Sequence, residues 1–174
     1  MNKELYEKYG KYFLNKFQNN KKLKFDIVCN NENGFGVYIY SNSDFSEYFL
    51  RIDDEMIYID GIIVQDEGLE FKNIAEIDES IIYKYLDEQA SILQTYLDRG
   101  INLYAFIKDG NIIRMSTDKI LNENLLNTFN AENFYNQCCF AEHPKFEDII
   151  KLQLQNFYGD VIYEYTSQKN KEKD

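Results

Sequence analysis

Little in this sequence can support catalysis by the common routes. Its 174 residues include one histidine, one proline, three cysteines and no tryptophan. A histidine-based acid–base mechanism would have to use His143, because only that side chain type titrates near neutrality without help. Cys29, Cys138 and Cys139 cannot form a disulfide framework, and adjacent cysteines bridge each other only with strain. The thiols are therefore expected to be reduced. Cys138, Cys139 and His143 are also too few for a closed zinc site, which takes four ligands. Gly34-Phe35-Gly36 lacks the third glycine and the following helix of a dinucleotide loop, and no glycine-rich loop precedes a Lys-Ser or Lys-Thr pair. No cofactor is expected. There is no apolar run of about eighteen residues to cross a membrane, and Met1-Asn2-Lys3-Glu4-Leu5 lacks the apolar segment of a signal peptide. The expectation is a cytoplasmic protein.

Positive charge is also scarce, and unevenly so. Residues 25–98 hold seventeen Asp and Glu against Arg51, Lys72 and Lys84, a block of −14. The first twenty-four residues run the other way, with seven Lys against Glu4 and Glu7, and residues 99–174 nearly balance. The whole chain is −11. Charge segregated on this scale projects a field that attracts some partners and repels others, without fixing the fold. Direct nucleic-acid binding is disfavoured, since the acidic block would repel the phosphate backbone.

What is present is ample material for a core. Apolar residues make up 44% of the chain and aromatics 16%, all Tyr and Phe. A chain of this length buries roughly 70% of the surface its unfolded form exposes. One domain over residues 1–167 is expected, with a disordered tail at 168–174.

Tyr6, Tyr9, Phe13 and Phe17 recur at helical spacing and predict a helix over 3–18. Its lysines suit a membrane surface, a partner or plain solvent, with packing on a sheet as the default. Leu23, Phe25, Ile27 and Cys29 then alternate with polar neighbours and predict a strand with one buried face. Similar patterns over 35–41, 45–52 and 56–64, joined by short polar links, make a four-stranded antiparallel meander. After the link 65–77, a long helix carries the stripe Ile81, Ile82, Tyr85, Leu86, Leu93, Tyr96 and Leu97, with Asp78 at its start and Gly100 as the left-handed residue at its end. Lys108-Asp109-Gly110-Asn111 marks a β-hairpin. Helices are expected over 118–129, 132–140 and from Pro144 to Phe157, with a last strand at 161–166. The fold class is α+β.

Two constellations stand out. Cys138 or Cys139 with His143, oriented by Glu142 or Glu147, could form a nucleophilic dyad. Packing and helix capping account for the same residues, and no enzyme is expected. The second is the acidic meander: Asp44, Glu47, Asp53, Asp54, Glu55, Asp60, Asp66 and Glu67, interleaved with Tyr48 and Tyr58. These acids do not match the register of a calcium loop, so no metal is expected. Carboxylates spread over strands and turns can imitate phosphates, and tyrosines offer contact area at low entropy cost. The expected partner is a protein with a basic surface, such as a nuclease or another nucleic-acid-binding enzyme, which this chain would inhibit. A homodimer is also compatible.

In general character the chain resembles immunity proteins against nuclease toxins and phage-encoded inhibitors of bacterial defence nucleases, which are small, acidic and without catalytic motifs. In element order, residues 1–128 are similar to acidic bacterial secretion chaperones. That likeness implies an adaptor or chaperone as the alternative function.

Overall fold

The aromatic stripe Tyr6, Tyr9 and Phe13 forms the inner face of helix α1 (Lys3–Asn15), and all three rings are buried. Phe17, just beyond the helix, is buried as well. A computed structural model describes residues 2–42, 47–61, 68–138 and 143–168, in two compact units, Met1–Thr95 and Tyr96–Asp174.

In the first unit α1 packs over β1 (Lys24–Asn31), β2 (Gly34–Tyr40) and β3 (Glu47–Ile52). With β4 (Met56–Gly61) and the two-residue β5 (Leu69–Glu70) these form one antiparallel sheet in the order β1-β2-β3-β4-β5. The expected meander of four thus has a fifth strand, too short to show a period-two pattern. Phe35, Val37 and Ile39 of β2, Tyr48, Leu50 and Ile52 of β3, and Ile57 and Ile59 of β4 share the face under the helix, and all are buried. Gly10 of α1 sits directly on this layer: a Cβ there would run into the ring of Phe35. Helix α2 (Glu79–Arg99) starts where Asp78 Oδ1 accepts from the Ser80 N–H at 2.9 Å, as its sequence suggested. It meets α1 through Tyr83, whose ring lies 5.6 Å from Tyr9 and 4.6 Å from Tyr12.

β1 departs from expectation. Phe25 and Ile27 do point to the helix-covered side, paired with Ile39 and Val37, yet both are exposed. β1 is the sheet's outer strand. A bulge between Ile27 and Cys29 then moves Cys29 opposite Gly36, on the other face, and breaks the alternation.

In the second unit β6 (Gly100–Ile107) and β7 (Ile112–Ile120) form the expected hairpin, with Gly110 at φ +86° and Asp109 Oδ1 accepting from the Asn111 N–H at 2.9 Å. Gly100 does not take the left-handed conformation and instead begins β6, packed against the Tyr96 backbone. β7 extends to Ile120, so the helix expected from 118 shrinks to α3 (Glu123–Asn127), followed by α4 (Ala131–Cys138). The helix expected from Pro144 to Phe157 is instead a 3-10 turn (Phe146–Asp148) and strand β8 (Ile149–Asn156). Leu152 and Leu154 are buried between Lys151, Gln153 and Gln155, which is period two. Gly159, at φ +89°, turns the chain into β9 (Val161–Thr166), and the sheet order is β7-β6-β8-β9. Ile101, Leu103, Ala105, Leu152 and Leu154 pack with Phe134 and Tyr135 of α4 to form the core.

Candidate functional site

Strand register decides which side chains of the acidic meander can act together. On the face of the first sheet away from α1, Asp26, Tyr38, Phe49 and Asp60 stand in one cross-strand row. Lys24, Tyr40 and Glu47 form the next row on one side, and Gly36, Arg51 and Tyr58 the next on the other. Ring centroids are 4.7 Å apart for Tyr38 and Phe49 and 6.3 Å for Phe49 and Tyr58. Gly36 leaves room for this: the Phe49 ring lies over it, at the edge of van der Waals contact with any side chain placed there. A half-buried aromatic stripe is thus bordered by the exposed carboxylates of Asp26, Glu47 and Asp60. Rings beside carboxylates make a surface suited to guanidinium and ammonium groups, which stack on the ring and pair with the acid.

The expected partner-binding residues divide into four groups. Glu47, Asp60 and Tyr58 lie on this outer face. Tyr48 lies on the opposite one, buried beneath α1 at 2% exposure, because neighbours in a strand point to opposite sides. Asp53, Asp54 and Glu55 occupy the β3–β4 turn. There Asp53 Oδ1 accepts from the Glu55 and Met56 N–H groups at 3.1 and 3.0 Å, while its other oxygen lies 3.1 Å from Arg51 Nε. Asp54 accepts from the Tyr6 hydroxyl at 2.5 Å and the Asn2 amide at 2.6 Å, so it ties α1 to the turn. Those bonds, Tyr6 first, hold its carboxyl below the usual range. Burial and the neighbouring Asp54 push the Tyr6 phenol up to about 12. Glu55 is exposed. Asp44, Asp66 and Glu67 lie outside the described residues. Phe49 was missed by sequence reading, although its parity with Tyr58 and Tyr38 was available.

The lysines of α1 are largely spent within the unit. Lys8 Nζ lies 2.7 Å from Glu79, Lys16 lies 2.6 Å from Asp87, and Lys11 pairs with Glu7 one turn back at 2.5 Å. The Tyr12 hydroxyl also donates to Asp87 at 2.9 Å. The hydrogen bond from Lys16, then that from Tyr12, lowers the Asp87 pKa. Of the three cations in 25–98, Arg51 and Lys84 face acids of the same block. The basic helix thus pairs with acids of α2, while Glu47 and Asp60 on the outer sheet face make no ion pair among the described residues.

Elsewhere, Cys138 ends α4 half-buried beside the second core, while Cys139 and Glu142 lie outside the described residues. Among the described residues no three His, Cys, Asp or Glu side chains cluster to hold a metal, and no helix is long and apolar enough to cross a membrane. A cleft of about 250 Å³ beside α3 and α4 is lined by Leu125, Phe129, Phe134, Thr128 and the amides of Asn130, Asn133 and Gln137. It contains no titratable side chain. Comparison with protein-family models, with curated proteins and with solved structures found no match to this chain.

Proposed function

We propose that this chain is a non-enzymatic binding protein whose acidic, aromatic sheet face occupies the basic surface of a nucleic-acid-handling protein and blocks it. The observation that carries this reading is the outer face of β2, β3 and β4. It joins three contiguous rings to the carboxylates of Glu47 and Asp60, which make no ion pair among the described residues. Carboxylates steer the encounter and suit cation-rich surfaces, while the rings supply desolvated contact that slows dissociation. Immunity against a nuclease toxin and counter-defence by a phage both use such a protein.

The test starts from the proteins that the full chain captures from its host. A captured basic nucleic-acid-binding protein, once purified, should bind with an affinity that falls as salt rises, and duplex DNA should compete. Glu47→Gln with Asp60→Asn should weaken binding by about tenfold or more, and Phe49→Ala should raise the dissociation rate. Unchanged affinity in the double variant, or simultaneous binding of DNA and this chain, would overturn the reading.

A further inference from the structure

β1 is the outer strand of the first sheet, and along nearly its whole length it is exposed. Phe25, Ile27 and Val28 are 37%, 53% and 52% exposed, three of the eight large apolar side chains so placed among the described residues. A free strand edge beside exposed apolar side chains is a template for another strand. The usual protections are thin: β1 has no proline and a single lysine. Its bulge at Ile27–Cys29 does not close the edge but bounds it. Between the start of the strand and that bulge, the segment Lys24–Ile27 is left regular.

We propose that this edge pairs with the same edge of a second copy of the chain, antiparallel and centred on Phe25. The occupant is specified by the self-complementarity of Lys24-Phe25-Asp26. A two-fold interface requires residue i to meet j while j meets i. With Phe25 on the axis, Lys24 faces Asp26 of the second copy and Asp26 faces its Lys24. Phe25 meets its own equivalent, with Ile27 beside it on the same face. Phe25 and Ile27 lie on the inner face with Ile39 and Val37, whereas Lys24 and Asp26 lie on the outer face with Tyr40 and Tyr38. Apolar residues therefore meet on one side of the extended sheet and opposite charges on the other. Moving the axis to Asp26 would set two carboxylates face to face and Lys24 against Val28, so the sequence selects one register.

The groups needed are available. Asp26 is exposed and makes no ion pair among the described residues. Lys24 is exposed, with the Asn42 amide oxygen at 2.8 Å and the Tyr40 ring at 6.0 Å, neither of them charged. The segment is locally neutral within an acidic unit, which removes the repulsion that would oppose self-association elsewhere on it. A short paired edge places the dimer in the weak class of interfaces. The pairing stands whether or not the outer face binds a basic partner.

Sedimentation equilibrium of the full chain, over a concentration series reaching the sub-millimolar range and without any partner, tests this. The expected result is a monomer–dimer equilibrium. Lys24→Asp and Asp26→Lys should each weaken it by about tenfold or more, since each substitution turns two cross-strand attractions into repulsions. The combined Lys24→Asp/Asp26→Lys variant should dimerise again within severalfold of the original, with circular dichroism confirming that all variants are folded. A strict monomer, a dimer indifferent to the single reversals, or a double variant that stays monomeric would each overturn the proposal.

Discussion

In the first unit the outward positions of β3 and β4 carry Glu47, Phe49, Arg51, Tyr58 and Asp60, whereas in the second the corresponding positions of β8 carry Lys151, Gln153 and Gln155. The second set is internally satisfied. Gln153 donates to Glu164 at 2.5 Å, Gln155 to Gln153 at 3.3 Å, and Lys151 sits 4.3 Å over the Phe106 ring and 3.9 Å from Glu164. In the first set Glu47 and Asp60 make no ion pair among the described residues. Counted by unit, residues 1–95 hold ten Lys and Arg against eighteen Asp and Glu, and residues 96–174 hold nine against twelve. Both units bury an apolar layer against one face of an antiparallel sheet, so packing does not require the difference. Solubility does not require it either, since it would be served by acids placed on either sheet. Concentrating them around three rings is the arrangement that the proposed contact would use.

The largest effects belong to the buried layers that both units share. Phe13→Ala should destabilise the first unit by about 3–5 kcal/mol and Leu154→Ala the second by about 2–5 kcal/mol, since both side chains are fully buried. Urea denaturation would show it, and a cost below about 1 kcal/mol for Phe13→Ala would mean that α1 is not part of the first core. An intermediate effect is expected from Tyr6→Phe, which removes the hydroxyl donated to Asp54 and should cost about 1–2 kcal/mol. Its pH dependence has a definite sign. Tyr6 holds its proton more tightly when folded, so its contribution is complete below pH 10 and is lost as the pH rises toward about 12. Asp54 has the opposite shift, so its contribution is present above the ordinary carboxylate range and is lost as the pH falls through its depressed value. Melting temperatures across both limbs should therefore flatten in Tyr6→Phe. The smallest effects belong to the surface: Lys16→Met removes an exposed ion pair, and Glu47→Gln with Asp60→Asn removes unpaired charge. Each should change stability by no more than about 0.5–1 kcal/mol. A much larger loss for the Glu47 and Asp60 pair would make those acids structural and weaken the contrast between the two faces.

Sequence pattern carried the α+β class, the first helix, the meander, the long helix and the 108–111 hairpin because each has a clear period or turn signal. It failed where end signals competed with the period. Pro144 and Gly159 suggest the two ends of a helix, but Leu152 and Leu154 alternate with Lys151, Gln153 and Gln155, and pairing with β6 makes this segment a strand. The bulge in β1 and the two-residue β5 leave no such trace, since both depend on neighbouring strands. The residue types of the candidate site were visible in the sequence, but not which of them share a face. Glu47 and Tyr48 were read as partners although adjacent strand residues cannot share a face. Asp54 looked like free charge because Tyr6, its partner, lies 48 residues away in the chain. Likewise, the lysines of α1 gave no sign that acids of α2 would take them up.

Gly10 brings those lysines close to α2. Phe35 fills the space where a side chain would stand, so α1 lies close on the sheet with its glycine against that ring. Turning the helix by a single residue, about 100°, would carry Lys8 and Lys16 away from Glu79 and Asp87 and swing them outward. The close seat that the missing methyl group allows therefore helps hold those two ion pairs in place.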